Sequence, residues 1–126
     1  WQLSNPPILS LAPLLASLQL FNKTGLVRLR NNSKRLTEFL EHSLRAELGD
    51  RVRVLTPRAA ARRGCQLSVR LQLGGASPEQ FLANLEQQGL VVDWRAPDVL
   101  RLAPVPLYNR FADVFHAVKI LNRSLS

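Results

Sequence analysis

The spacing of apolar residues changes several times along the chain, and each change predicts an element. Ile8 to Phe21 is almost continuously apolar, which predicts a helix buried against a larger body. Its 14 residues fall short of the roughly 20 that a bilayer-spanning helix needs. Neither a basic n-region nor a clean small-residue cleavage pattern marks it as a signal peptide. Pro13 is accommodated if Ser10 or a neighbour caps the start, because a proline in the first turn forfeits no intrahelical bond.

Thr24-Gly25 opens a second helix. In it Leu26, Leu29, Ser33, Leu36, Leu40 and Leu44 recur at helical spacing along one stripe. Arg28, Lys34, Arg35, Glu38, His42 and Arg45 fill the polar face, and Gly49 supplies a stop. A seam this long suits a helix that bridges two domains. Arg51 to Thr56 then alternates, predicting a short strand ended by Pro57, and Arg58 to Arg63 reads as a helical turn or a charged loop.

From Gln66 the alternation is regular, with Leu67, Val69, Leu71 and Leu73 on one face and Gln66, Ser68, Arg70 and Gln72 on the other. Gly74-Gly75 breaks this strand. Ser77-Pro78-Glu79-Gln80 has the form of a helix start, with serine as N-cap, proline in the first turn and glutamine at the capping-box position. Phe81, Leu82 and Leu85 supply its buried stripe and Gly89 its end. Leu90 to Trp94 and Val99 to Ala103 predict two strands joined by the turn-rich Arg95-Ala96-Pro97-Asp98. Asn109 is placed to cap a last helix with Phe111, Val114, Phe115, Val118 and Leu121 on its apolar face. Two strands, a helix, two strands and a helix make an α+β unit: a small antiparallel-rich sheet covered by helices on one side.

Composition sharpens this picture. With 46% hydrophobic residues among 126, the chain can fill an ordinary core and is not a disordered segment. It contains no methionine and opens on Trp1, which predicts an excised, processed or partly recorded piece of a longer chain. The single Cys65 allows no internal disulfide and fits a reducing compartment. His42 and His116 lack partners at zinc-ligand spacing, and His42 has nothing beside it to orient a catalytic imidazole. The net charge of +8 is uneven: Lys23 to Arg70 holds 12 basic against 4 acidic residues, and residues 71 to 126 hold 5 of each. The excess raises a basic α+β nucleic-acid-binding module as an alternative reading, with Arg51 to Arg70 as its contact surface. No aromatic residue interleaves that stretch to stack bases.

No self-contained catalytic motif appears: no nucleophile triad, phosphate-binding glycine loop or paired carboxylates in a recognisable setting. The residue that stands out is Arg101. Leu100 and Leu102 face the core, so Arg101 points the other way, and Pro104 and Pro106 stiffen the chain after it. Its planar fork suits a carboxylate or phosphate clamp; a structural pair with Asp93 or Asp98 is the competing reading. Asn5, held extended by Pro6, either presents its amide to a ligand or initiates a turn.

WQLSNPPILSLAPL at 1 to 14, RRGCQLSVRL at 62 to 71 and DWRAPDVLRLAPVPLYNRFADV at 93 to 114 together resemble the carboxy-terminal portion of kynureninase, and the likeness covers essentially the whole chain. The resemblance implies an aspartate-aminotransferase-like α/β enzyme of fold type I, whose large domain carries pyridoxal 5'-phosphate. Residues 1–22 would end that domain, 23–49 form the bridging helix, and 50–126 form the small α+β domain. It further implies hydrolysis of L-kynurenine to anthranilate and L-alanine, or of the 3-hydroxylated forms, in a cytoplasmic homodimer acting in tryptophan catabolism, with neither nucleic acid nor membrane as partner. By the same resemblance Arg101 binds the substrate α-carboxylate, and Asn5 lies at the cofactor and near the substrate. The family's Schiff-base lysine lies upstream. Lys23, Lys34 and Lys119 match no such motif, so the segment alone is expected to be inactive. A truncated, non-catalytic interaction module is the remaining alternative.

Overall fold

The computed structural model describes residues 4–125. Helices α1 (Ile8–Thr24) and α2 (Leu26–Leu48) are followed by β1 (Val52–Val54), β2 (Leu67–Leu71), α3 (Pro78–Gln87), β3 (Asp93–Arg95), β4 (Val99–Leu102) and α4 (Phe111–Ser124). Short 3-10 turns occupy Gly49–Arg51 and Ala60–Arg62, the second resolving the RAAARR stretch as a turn.

The strands form one antiparallel sheet in the order β1-β2-β4-β3. Leu67, Val69, Leu71, Leu100 and Leu102 leave its inner face and pack with Leu36, Leu40 and Leu44 of α2, Phe81 and Leu85 of α3, and Val114, Val118 and Leu121 of α4 in one core. Antiparallel pairing suits a sheet with one packed and one bare face, and the outer positions are taken by Arg53, Ser68, Arg70, Asp93, Arg95, Val99 and Arg101. Helices α2 and α4 are also clasped outside the core. Lys119 Nζ lies 2.9 Å from both Glu47 carboxylate oxygens, and Phe111 meets Phe39 edge-on at 5.5 Å beneath the Arg35 guanidinium.

Several boundaries differ from expectation. Helix α1 begins at Ile8 rather than near Ser10, because the Pro7 carbonyl already accepts from the Ser10 and Leu11 amides at 2.9 and 3.0 Å. Pro13 is therefore the helix's sixth residue, and the donor it lacks would have gone to Leu9, which is 91% exposed and open to water. The helix is apolar but has no buried residue. Leu26, expected on the α2 stripe, is 70% exposed, whereas Leu29, Leu36, Leu40, Leu44 and Leu48 are buried.

Arg110, not Asn109, stands at the N-cap of α4: the Asp113 carboxylate accepts from the Arg110 amide at 2.8 Å. The Asn109 side chain instead turns back to accept the Val105 amide at 2.8 Å and closes the proline-braced turn. Phe111 and Phe115 are 38% and 45% exposed, so only Val114, Val118 and Leu121 form the buried face of α4. Strands β1 and β3 are shorter than the alternation suggests, since pairing extends only over Val52–Val54 and Asp93–Arg95.

The serine N-cap and first-turn proline of α3 are as read from the sequence. Ser77 Oγ accepts the Gln80 amide at 3.2 Å and Pro78 opens the helix. Ser77→Ala is expected to lower stability by about 1 kcal/mol, seen as a lower urea midpoint with an unchanged slope.

Candidate functional site

The outer face of the β3–β4 pair carries the strongest candidate. Arg101 sits opposite Asp93 in the register, and directly opposed side chains on one face lie close enough to pair. Its Nε and Nη2 both meet the same oxygen, Asp93 Oδ2. Arg95, two residues along β3 and hence on the same face, donates its Nε–H to that oxygen at 3.1 Å. Asp93 is thus shared by two guanidinium groups. Partial desolvation pushes its carboxyl pKa up, but the hydrogen bond and charge of Arg101, followed by those of Arg95, outweigh it and hold the carboxyl below its ordinary value.

The structure thereby decides which acid pairs with which arginine. Asp98 goes to Arg70 of β2, with Nε to Oδ2 at 2.9 Å. Arg101 keeps 34% of its side chain exposed, and its Nη1 makes no hydrogen bond among the described residues. Beyond it, Pro104 is buried and Asn109 ties the following turn, so the arginine stands on a stiff mount. Arg101 also lines a groove of ≈ 550 Å³ together with Val92, Pro104, Val114, His116 and Ile120. The arrangement can hold an anion, and the planar fork suits a carboxylate.

Asn5 lies in the irregular segment before α1, is exposed, and makes no side-chain hydrogen bond with described residues. Among the described residues no hydrogen bond or ion pair brings it to Arg101. Lys119 is engaged by Glu47, Lys23 is exposed in the last turn of α1, and Lys34 is half-buried on α2. His42 is exposed and Cys65 is a half-buried free thiol.

Sequence patterning missed one charged cluster. Glu41 is buried on α2, and its carboxylate takes Arg63 Nη1 at 2.7 Å and Arg45 Nη2 at 3.1 Å. Arg63 comes from RRGC, with only 2% of its side chain exposed. Arg30 reinforces this seam by donating to the carbonyls of Ala60 and Arg63. A signal was present: Glu41 falls on the buried stripe between Leu40 and Leu44. Half of the basic stretch is engaged within the fold, since Arg51 donates to the Leu48 and Glu47 carbonyls and to Asn122, Arg63 meets Glu41 and Arg70 pairs with Asp98, whereas Arg53, Arg58 and Arg62 are exposed.

Among the described residues no group of His, Cys, Asp or Glu could hold a metal ion, and no helix is long and apolar enough to cross a membrane. Residues 29–121 match the family model described as the kynureninase C-terminal domain. The chain belongs to that family. A kynureninase of Xanthomonas oryzae pv. oryzae is 52% identical over 114 residues, covering 90% of this chain and 27% of the relative. One of Xanthomonas campestris pv. campestris is 47% identical over 119 residues, covering 94% and 28%. The chain thus spans about a quarter of the length of the kynureninases it matches.

Among solved structures, an ornithine aminotransferase of Plasmodium yoelii superposes with a TM-score of 0.59 at 20% identity, over 75% of this chain and 24% of the other. That of Toxoplasma gondii gives 0.56 at 16%, over 75% and 22%. At these identities the likeness shows the fold alone, the α+β arrangement of a fold-type I enzyme expected from the kynureninase resemblance.

Proposed function

We propose that this chain is the carboxy-terminal part of a kynureninase that hydrolyses L-kynurenine to anthranilate and L-alanine, or the 3-hydroxylated substrate to its 3-hydroxy product, in tryptophan catabolism. The reading rests on one observation: a kynureninase-family domain presents Arg101, rigidly mounted and half-exposed, on its bare sheet face. In this reading Arg101 binds the α-carboxylate. A fixed clamp there orients the bonds at Cα and converts binding energy into reaction geometry. Asn5 contacts cofactor and substrate from the segment ahead of α1. Pyridoxal 5'-phosphate, held by the longer protein, supplies the electron sink for carbon–carbon cleavage.

Residues 1–22 belong to the large cofactor domain, 23–49 to the connecting helix and 50–126 to the small domain. The exposed leucines of α1 support this, because an apolar helix with no buried residue needs a body to pack against. The functional unit is a cytoplasmic homodimer. The 126-residue chain is inactive alone, since none of its lysines fits the cofactor-bearing role.

The test compares the 126-residue chain with the protein extended through its upstream coding sequence, both with pyridoxal phosphate, following anthranilate fluorescence after addition of L-kynurenine. Turnover is expected only from the extended protein. Its failure to release anthranilate would remove the reading, and turnover by the short chain would remove the assignment of the missing lysine.

A further inference from the structure

Arg101 has an edge and an end, and the structure uses only one of them. Its Nε and the adjoining Nη2 are both committed to Asp93 Oδ2, whereas Nη1 is unbonded among the described residues. A guanidinium has five donors in a fixed fork. With the Nε edge held, the Nη1/Nη2 end is the part left to receive a second carboxylate in a two-bond geometry. A free arginine could swing about its side-chain torsions and present any edge; this one is fixed at its base by β4 and at Nε by the strand partner.

An arginine neutralised by its own aspartate would attract an anion poorly, and Arg95 removes this difficulty. Two guanidinium groups share the one carboxylate, so the cluster keeps a net positive charge when Asp93 is ionised. Asp93 can therefore fix the direction of Arg101 without cancelling the field that draws the substrate. The placement follows from the sheet: Asp93 opposes Arg101 across the β3–β4 register, and Arg95 follows on the same face.

We propose that Asp93 is the positioning residue of the substrate clamp, holding the Nε side of Arg101 so that its Nη1/Nη2 end meets the α-carboxylate, with Arg95 preserving the positive charge. This rests on the reading of Arg101 as the carboxylate-binding residue.

The experiment uses the full-length holoenzyme and measures KM and kcat for L-kynurenine and for its α-carboxamide, which lacks the charge the clamp reads. Thermal midpoints are recorded for each variant. Asp93→Asn is expected to raise KM for kynurenine by about tenfold, as a loosened clamp loses much of one charge-assisted bond. The carboxamide value should scarcely move, so the preference for carboxylate shrinks. Asp93→Glu, which keeps the charge, should restore most of that preference. Loss of activity with an unchanged preference, or a lowered midpoint as the sole effect, would make Asp93 merely structural and overturn the proposal. If Asp93→Asn fails to fold, Arg95→Gln carries the test: a reduced carboxylate preference supports the shared cluster and an unchanged one overturns it. Arg101→Lys separates the two claims. If it abolishes the preference and Asp93→Asn does not, only the positioning role fails; if it leaves the preference intact, the clamp reading itself fails.

Discussion

Replacing Arg101 by lysine in the full-length enzyme is expected to raise KM for L-kynurenine by about one to two orders of magnitude, the worth of a lost charge-assisted hydrogen bond of roughly 1.5–3 kcal/mol. Lysine keeps the charge but not the planar fork. It cannot hold Asp93 on one edge while offering two parallel donors to a substrate from the other. The hypothesis is motivated by the geometry at β4, where Arg101 shares Asp93 with Arg95 and keeps part of its side chain open. Because Arg101 lies on the outer sheet face, away from the core residues Leu100 and Leu102, the substitution should leave the thermal midpoint within about 1 °C, in line with the small effects of surface changes. Steady-state kinetics with anthranilate fluorescence supply the check. An unchanged KM would sink the assignment.

Glu41→Ala should be among the most damaging single changes in the domain. It strands Arg63, whose side chain is almost wholly buried and whose Nε already lacks a hydrogen-bond partner. Leaving such a charge uncompensated costs about 3–5 kcal/mol, a large fraction of a small domain's stability. Removing both charges, as Glu41→Leu with Arg63→Met, should recover most of the loss, since the desolvation penalty disappears with the ions. Urea titration of wild type, Glu41→Ala and the double variant at neutral pH measures this, and a double variant no better than Glu41→Ala would show that the pair does more than neutralise itself.

The same pair predicts an acid dependence. Burial raises the Glu41 pKa, but the hydrogen bonds of Arg63 and Arg45, then their charges, outweigh it and leave the carboxyl below its ordinary value of 4.5. A carboxyl depressed in the folded state stabilises it fully above the unfolded value. That contribution is lost as pH falls from 4.5 through the folded value. Wild type should therefore lose stability faster than Glu41→Gln on acidification below about pH 5. Parallel acid limbs for the two would show that Glu41 does not carry the effect.

These residues also show what can be read from sequence. The stripe on α2, the alternation of β2 and the serine cap of α3 are periodic or local signals, fixed by helix and strand geometry whatever packs against them. Arg101 was legible for the same reason, because strand alternation turns it away from the core. What was not legible depended on partners far along the chain. Position 41 falls on the buried stripe of α2 by spacing but reads as surface by residue type, and Arg63, which with Arg45 makes its burial tolerable, lies 22 positions on. Whether Arg101 would meet Asp93 or Asp98 hung on the β3–β4 register, which alternation alone leaves open. The cap of α4 moved by one residue because Asn109 found a better acceptor role in the preceding turn.

The clasp between α2 and α4 also bears on how the domain is made. The leucine stripe of α2 is translated well before the residues that cover it, Val114, Val118 and Leu121, and before the Lys119 partner of Glu47. At roughly 5–20 residues per second, the ribosome needs about 4–15 s to travel from Leu44 to Leu121. Through that interval the stripe has no partner from α4. Folding of this unit is therefore governed by non-local closure, and the apolar stripe of the nascent chain stays open to aggregation and to chaperone capture until α4 emerges.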